Sequence, residues 1–179
     1  MLCYNEAIIT QRTAMKNYAT FYNKLTRSFQ NKQTATRCLQ VVNSLLTKIM
    51  YLIYPLMLIY LFCTQSNRLL AFILIPALSF MLVSVLRKLL NVPRPYETWN
   101  ITPLILKNTK GQSMPSRHVF SATIISMAIL RLNLILGIFF LILSLVIALC
   151  RVLGGVHYPR DVIAGFLVGI VCGLLLFLF

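Results

Sequence analysis

Three clusters of chemically capable side chains stand out in a chain that has few of them. The first is Arg87, Lys88 and Arg94-Pro95, the second Pro115-Ser116-Arg117-His118, and the third Arg151, His157 and Asp161. Arg87, Arg94 and Arg151 can place several planar donor forks around one phosphoryl group. Ser116 stands at the N-cap position of an apolar run, where a helix start offers free backbone N–H groups to an anion. Phosphoryl transfer needs mainly positioning and stabilisation of the equatorial oxygens, and such a ring of donors supplies both. Two histidines can divide the remaining work. One attacks phosphorus and forms a phosphohistidine; the other protonates the leaving oxygen and later activates water. The attacking ring must be neutral and held in orientation, which a carboxylate at its other nitrogen achieves. Asp161, four residues after His157, is the only acid close in sequence to either histidine. His157 is therefore the predicted nucleophile and His118 the predicted acid/base.

The rest of the inventory narrows the chemistry. The acidic residues are Glu6, Glu97 and Asp161, the histidines number two, and the five cysteines form no C-x-x-C pair. Too few carboxylate, His and Cys ligands are present to build a two-metal phosphatase site, so neither a metal nor a cofactor is expected. Taken singly, each site residue has a plainer reading. Arg87 and Lys88 suit snorkelling anchors at a span end, His118 an interfacial histidine, and Asp161 an acid at a helix start. Their coincidence on one side of the membrane, argued next, favours an oxyanion site.

Positioning these residues falls to a membrane bundle. Of 179 residues, 59% are hydrophobic and only 11% charged, against roughly 25% charged in soluble domains. The apolar residues gather in five blocks near 44–63, 68–90, 117–131, 133–153 and 161–179, each read as a transmembrane helix of an all-α, polytopic bundle. The third is short for a span. If each block crosses, the long loop 91–116, the loop 154–160 and both histidines share one face. Residues 1–43 are basic, with Met15, Tyr18, Ala19, Tyr22 and Leu25 at helical spacing, as in an amphipathic helix on the bilayer surface. Two regions follow: a membrane-surface segment, 1–43, and a transmembrane domain, 44–179. The formal net charge of +14 suits an anionic membrane surface or an anionic substrate, since the basic residues flank apolar spans; nucleic acid is not an expected partner. Gly165, Gly169 and Gly173 mark close helix packing, read first as intramolecular, with pairing of two copies left open.

The three clusters resemble the signature of the type 2 phosphatidic acid phosphatase family, which also includes vanadium haloperoxidases. Its pattern is Lys, six residues, Arg-Pro; then Pro-Ser-Gly-His; then Ser-Arg, five residues, His, three residues, Asp. This chain has Arg87, six residues, Arg94-Pro95; Pro115-Ser116-Arg117-His118; and Cys150-Arg151, five residues, His157, three residues, Asp161. Arg87 replaces Lys, Arg117 replaces Gly, and Cys150 replaces Ser. The resemblance covers about residues 45–179. It implies that His157 is the nucleophile, that Asp161 orients it, and that His118 is the general acid. It also implies that Arg87, Arg94, Ser116 and Arg151 hold phosphate, with Arg117 and Lys88 as additional cations.

The resemblance further implies a multi-pass bacterial plasma-membrane enzyme that hydrolyses a lipid phosphate or diphosphate without metal. Undecaprenyl diphosphate ranks first, then phosphatidylglycerophosphate or phosphatidate. The alternatives are a vanadate-dependent haloperoxidase and a non-enzymatic protein that binds anionic lipid headgroups. The basic residues at the start of the chain favour a cytoplasmic site by the positive-inside rule, whereas the resemblance favours an outward-facing one; the outward orientation is the expectation adopted.

Overall fold

A computed structural model describes residues 18–29 and 32–179; Met15 and Glu6 lie outside the described residues. Helices make up most of the described chain, and no strand occurs among the described residues. Residues 18–29 form α1. They are followed by α2 (Gln33–Cys63), α3 (Leu69–Leu90), the short α4 (Pro95–Thr98), α5 (Arg117–Leu132), α6 (Leu134–Leu153) and α7 (Pro159–Leu174), which ends in a 3-10 turn, Leu175–Leu178. Among the described residues, four segments are long and apolar enough to cross a membrane: Gln33–Cys63, Leu69–Thr98, Leu134–Leu153 and Pro159–Leu178. The molecule is an integral membrane protein.

The third expected span, α5, is different in kind. It has 16 residues, fewer than the roughly 20 that cross the hydrocarbon layer. Every residue from Val119 to Ile129 is buried, and α2, α3, α6 and α7 all pack against it. Protein rather than lipid surrounds it, so Thr123, Ser126 and other hydroxyls are tolerated. Thr123 and Ser126 return their hydroxyls to the carbonyls of Val119 and Ala122, at 2.9 and 2.8 Å, and Ser126 also meets Ser144 of α6 at 2.9 Å. Asn133 alone reverses the chain between α5 and α6. Its N–H reaches Ile129 O at 2.7 Å, and its side chain accepts from Leu136 N at 3.0 Å.

α7 lies against the other side of α5, and its glycines make the approach. A Cβ at Gly165 would stand 2.6 Å from Ser116 O, and one at Gly169 2.7 Å from Thr123 Cβ. Gly173 faces Met127 in the same way, and all three glycines are buried. The small-residue stripe is thus taken up by packing within the chain.

α2 begins at Gln33, well before the expected start near residue 44. At 31 residues it is roughly 46 Å long, so its first turns rise beyond the bilayer, where Gln40 donates to Leu104 O of the long loop at 2.7 Å. α1 packs over the same end: Tyr22 is fully buried and donates to Leu153 O at 3.0 Å. The ring of Tyr18 lies 5.4 Å from that of Trp99 and 4.9 Å from that of Tyr158. Pro76, inside α3, leaves the carbonyl of Phe72 without its helical donor; Tyr54 of α2 supplies one, its hydroxyl donating to Phe72 O at 2.8 Å.

Candidate active site

The end of α3 sets the first wall. Arg87, in its last turn, is 5% exposed. Asn91 closes the helix in the left-handed conformation, φ 38°, a role asparagine fills well. The chain then turns back, and the Arg87 guanidinium donates to Ser113 O at 3.4 Å and to Pro115 O, pinning the segment that leads into α5. Arg94, 4% exposed, donates through Nε to Gly111 O at 3.1 Å. Its Nη1 is buried with no partner among the described residues. Glu97 binds both sides of this junction, its Oε1 accepting from Gly111 N at 2.8 Å and from Arg94 N at 3.1 Å. Gly111 and Gln112 both have positive φ, 63° and 52°. Asn91 Oδ1 occupies the place a Cβ on Gly111 would need, so the reversal that folds this loop onto Arg94 requires glycine there.

The loop delivers Ser113, which is fully buried. Its hydroxyl donates to Asp161 Oδ2 and lies 3.3 Å from His157 Nδ1. His157 Nδ1 and Asp161 Oδ2 themselves are 3.8 Å apart, too far for a direct hydrogen bond. The expected imidazole–carboxylate couple is therefore bridged by a serine. With Ser113 donating to Asp161, its oxygen accepts from Nδ1–H, which leaves Nε2 of His157 with the lone pair. Asp161 is fixed in turn by its own helix start, where Oδ2 accepts from Tyr158 N at 3.0 Å. Ser116 N donates to Asp161 O at 2.8 Å, joining the first turns of α5 and α7.

Both histidines line one cavity of about 390 Å³, together with Arg87, Arg94, Arg117, Lys107, Lys110 and Gln112. Among the described residues, no acidic one is in that wall. Arg151, Ser116 and Asp161 are buried, Arg151 close enough to act on both histidines, and among the described residues Arg151 Nε and Ser116 Oγ have no hydrogen-bond partner. Buried donors without partners are costly, and a phosphoryl group in the cavity is the kind of ligand that would satisfy them. His157 is 1% exposed. Burial, with Arg94 and Arg151 nearby, pushes its imidazole down to about 4 against the opposing pull of Asp161, so the ring is neutral at physiological pH. Lys107 is pushed down to about 8, by burial first and then by Arg94, Arg151, Arg117 and Arg87.

The sequence-predicted residues come together with one exception: Lys88 is exposed and is not part of the cavity wall. Ser113, Lys107, Lys110 and Gln112 were not singled out. The signals available for them were the basic, turn-forming run Lys107-Asn108-Thr109-Lys110-Gly111 inside the one long loop, and a serine three residues before Ser116.

A family model described as the PAP2 superfamily matches residues 68–179. The chain is 28% identical over 118 residues to the bacitracin transport permease protein BcrC of Bacillus licheniformis, covering 64% of this chain and 57% of that protein. It is 36% identical over 87 residues to the undecaprenyl-diphosphatase BcrC of Bacillus subtilis (strain 168), covering 49% of this chain and 45% of that one. The matched stretch thus spans about half the length of these relatives. The crystal structure of Aquifex aeolicus LpxE is similar with a TM-score of 0.68 at 28% identity, over 79% of this chain and 87% of that one. A PAP2 type phosphatidylglycerolphosphate phosphatase from Bacillus subtilis shares the fold, with a TM-score of 0.58 at 18% identity over 92% of each chain. The family match takes in all three clusters and more than half of the sequence, from the turn before α3 to the last residue, and on that basis the chain belongs to the PAP2 superfamily.

Proposed function

We propose that this protein is a membrane lipid phosphatase that hydrolyses a lipid phosphate or diphosphate through a phosphohistidine on His157. Undecaprenyl diphosphate is the favoured substrate, ahead of phosphatidylglycerophosphate or phosphatidate. The observation that carries the reading is the Ser113-bridged contact between His157 and Asp161, at a cavity whose wall holds His118 and five cationic side chains. An undecaprenyl-diphosphatase among the relatives supports the choice of substrate. A protein that only bound anionic headgroups would use the cations but would give the chain from His157 through Ser113 to Asp161 no task.

The steps follow from the geometry. Arg87, Arg94 and Arg151 hold the terminal phosphoryl oxygens, and His157 Nε2 attacks phosphorus. The bond from phosphorus to the bridging oxygen breaks as His118 passes a proton to that oxygen. His118, now neutral, takes a proton from water, whose oxygen attacks the phosphohistidine; the P–N bond breaks and its electron pair returns to Nε2. Arginines aimed at the equatorial oxygens stabilise both transition states. We also propose that the site faces outward: the cations that line the cavity serve phosphate binding and so carry less weight as orientation signals.

The test is phosphate release from a lipid panel by detergent-purified protein in the presence of a chelator. Release is expected without divalent metal, with vanadate inhibiting, and His157→Ala is expected to lose at least roughly a thousandfold in kcat, as nucleophile removals do. Unchanged turnover in His157→Ala would exclude it as the nucleophile.

A further inference from the structure

We propose that Arg117 holds the phosphate that stays on the lipid when a lipid diphosphate is cleaved, and that it makes the site prefer diphosphates to monophosphates. This rests on the phosphatase reading above and extends it to substrate class.

Arg117 sits where a polar and an apolar cavity meet. It is the first residue of α5, lines the phosphate cavity beside His118, and places its guanidinium carbon 5.5 Å from the centroid of the Phe80 ring. Phe80 belongs to a second cavity of about 390 Å³, lined by Tyr51, Tyr54, Pro76, Met81 and Phe120 among others. That groove lies between α2 and α3 with α5 as its floor, and exposed Tyr51, Phe80 and Met81 open it to the surroundings. Its depth in the bundle and its apolar walls suit a hydrocarbon chain.

The charges are arranged in the same sense. Arg87, Arg94 and Arg151 are each no more than 5% exposed, which suits the phosphoryl group that His157 attacks. Arg117 is exposed, and neither ion pair among the described residues includes it. Glu97 and Asp161, the described acids, are engaged by Gly111, Arg94, Ser113 and Tyr158. A cation–π contact on Phe80 is what steadies Arg117.

A lipid diphosphate maps onto this layout. Its terminal phosphorus sits at His157. The second phosphate is one bridging oxygen further out, and the chain leaves toward the apolar groove. The retained phosphate then lies at the junction, within the reach of Arg117. A lipid monophosphate presents a neutral carbon chain at that point, so the charge-assisted contact exists for the diphosphate alone.

The experiment compares farnesyl diphosphate with farnesyl phosphate as substrates for the full-length protein in detergent. The variants are Arg117→Gly, Arg117→Lys and Phe80→Leu. One charge-assisted contact corresponds to roughly tenfold to a hundredfold. Arg117→Gly should lower the diphosphate-to-monophosphate ratio of kcat/KM by that factor. Arg117→Lys should recover part of it, and Phe80→Leu should move the ratio in the same direction by less. Inhibition by farnesyl phosphate, the species left after cleavage, should weaken in Arg117→Gly more than inhibition by inorganic phosphate does. An unmoved ratio, or equal losses on both substrates, overturns the assignment of Arg117 while leaving the phosphatase reading intact. A wild-type protein that releases phosphate from neither substrate overturns both.

Discussion

In the proposed mechanism His157 must be neutral to attack phosphorus, and its burial among arginines favours the neutral ring down to acidic pH. With its ring held at about 4, protonation removes the nucleophile as pH falls through that value, so kcat/KM should decline below about pH 4. Ser113 controls which nitrogen attacks. Ser113→Ala opens the 3.8 Å gap between Nδ1 and Asp161 Oδ2 and removes the acceptor that fixes the tautomer. We expect kcat to fall roughly tenfold to a hundredfold, in line with losses at supporting hydrogen bonds, while KM changes little and Ser113→Thr restores part of the rate. Equal expression and thermal stability of the variants would separate this from misfolding. Lys107 supplies the opposite pH limb. Its ammonium is held down to about 8, so in the free protein it loses its charge as pH rises through that value and kcat/KM declines. A bound anion favours the protonated form, so kcat at saturation declines less. Lys107→Gln should lower kcat/KM at pH 7, erase the limb near 8, and converge with wild type at higher pH in a pH–rate profile. The motif residues were legible because charge and spacing announce them. Ser113 was not, because an uncharged side chain acquires this task only after Gly111 and Gln112 reverse the backbone.

At the scale of elements, the site depends on how closely the starts of α5 and α7 approach. Gly165 allows that approach, since a Cβ there would stand 2.6 Å from Ser116 O, next to the backbone bond from Ser116 N to Asp161 O. Gly165→Ala should push the two starts apart. Overpacking of this kind costs about 1–3 kcal/mol, and the displaced atoms are those that hold Asp161 and the N-cap of α5. A fall in kcat/KM of roughly tenfold or more, with a lowered melting temperature in detergent, is the expected outcome; wild-type values for both would contradict the packing argument. The glycine spacing made this contact readable from sequence, although not which helix would be the partner. The start of α2 was harder. Polar residues such as Gln33, Thr36 and Gln40 set this stretch apart from the apolar span by hydropathy, yet they continue the helix because Gln40 and Leu39 find partners on the long loop and α6 side. Likewise, Pro76 signals a kink, but only the fold reveals that Tyr54 takes up the carbonyl it frees.

For the whole molecule, native cysteines can report which way the site faces. Cys38 and Cys63 are both exposed and lie near opposite ends of α2, with Cys38 on the side of the histidines. A variant retaining only Cys38 should react with a membrane-impermeant maleimide in intact cells, while one retaining only Cys63 should react only after permeabilisation. The reverse pattern would place the site in the cytoplasm. Four of the five apolar blocks match helices long and apolar enough to cross a membrane, whereas the centrality of α5 was not readable, since hydropathy measures how a helix suits lipid and α5 meets almost none. That enclosure bears on biogenesis. As the nascent chain emerges, a segment ending at Leu132 has only the first two long helices to shelter the hydroxyls of Ser121, Thr123 and Ser126. Stable integration of α5 therefore waits for α6, which enters with it as a hairpin pinned at Asn133, and for α7 to close the last side, so the catalytic groups assemble only once α7 has been synthesised.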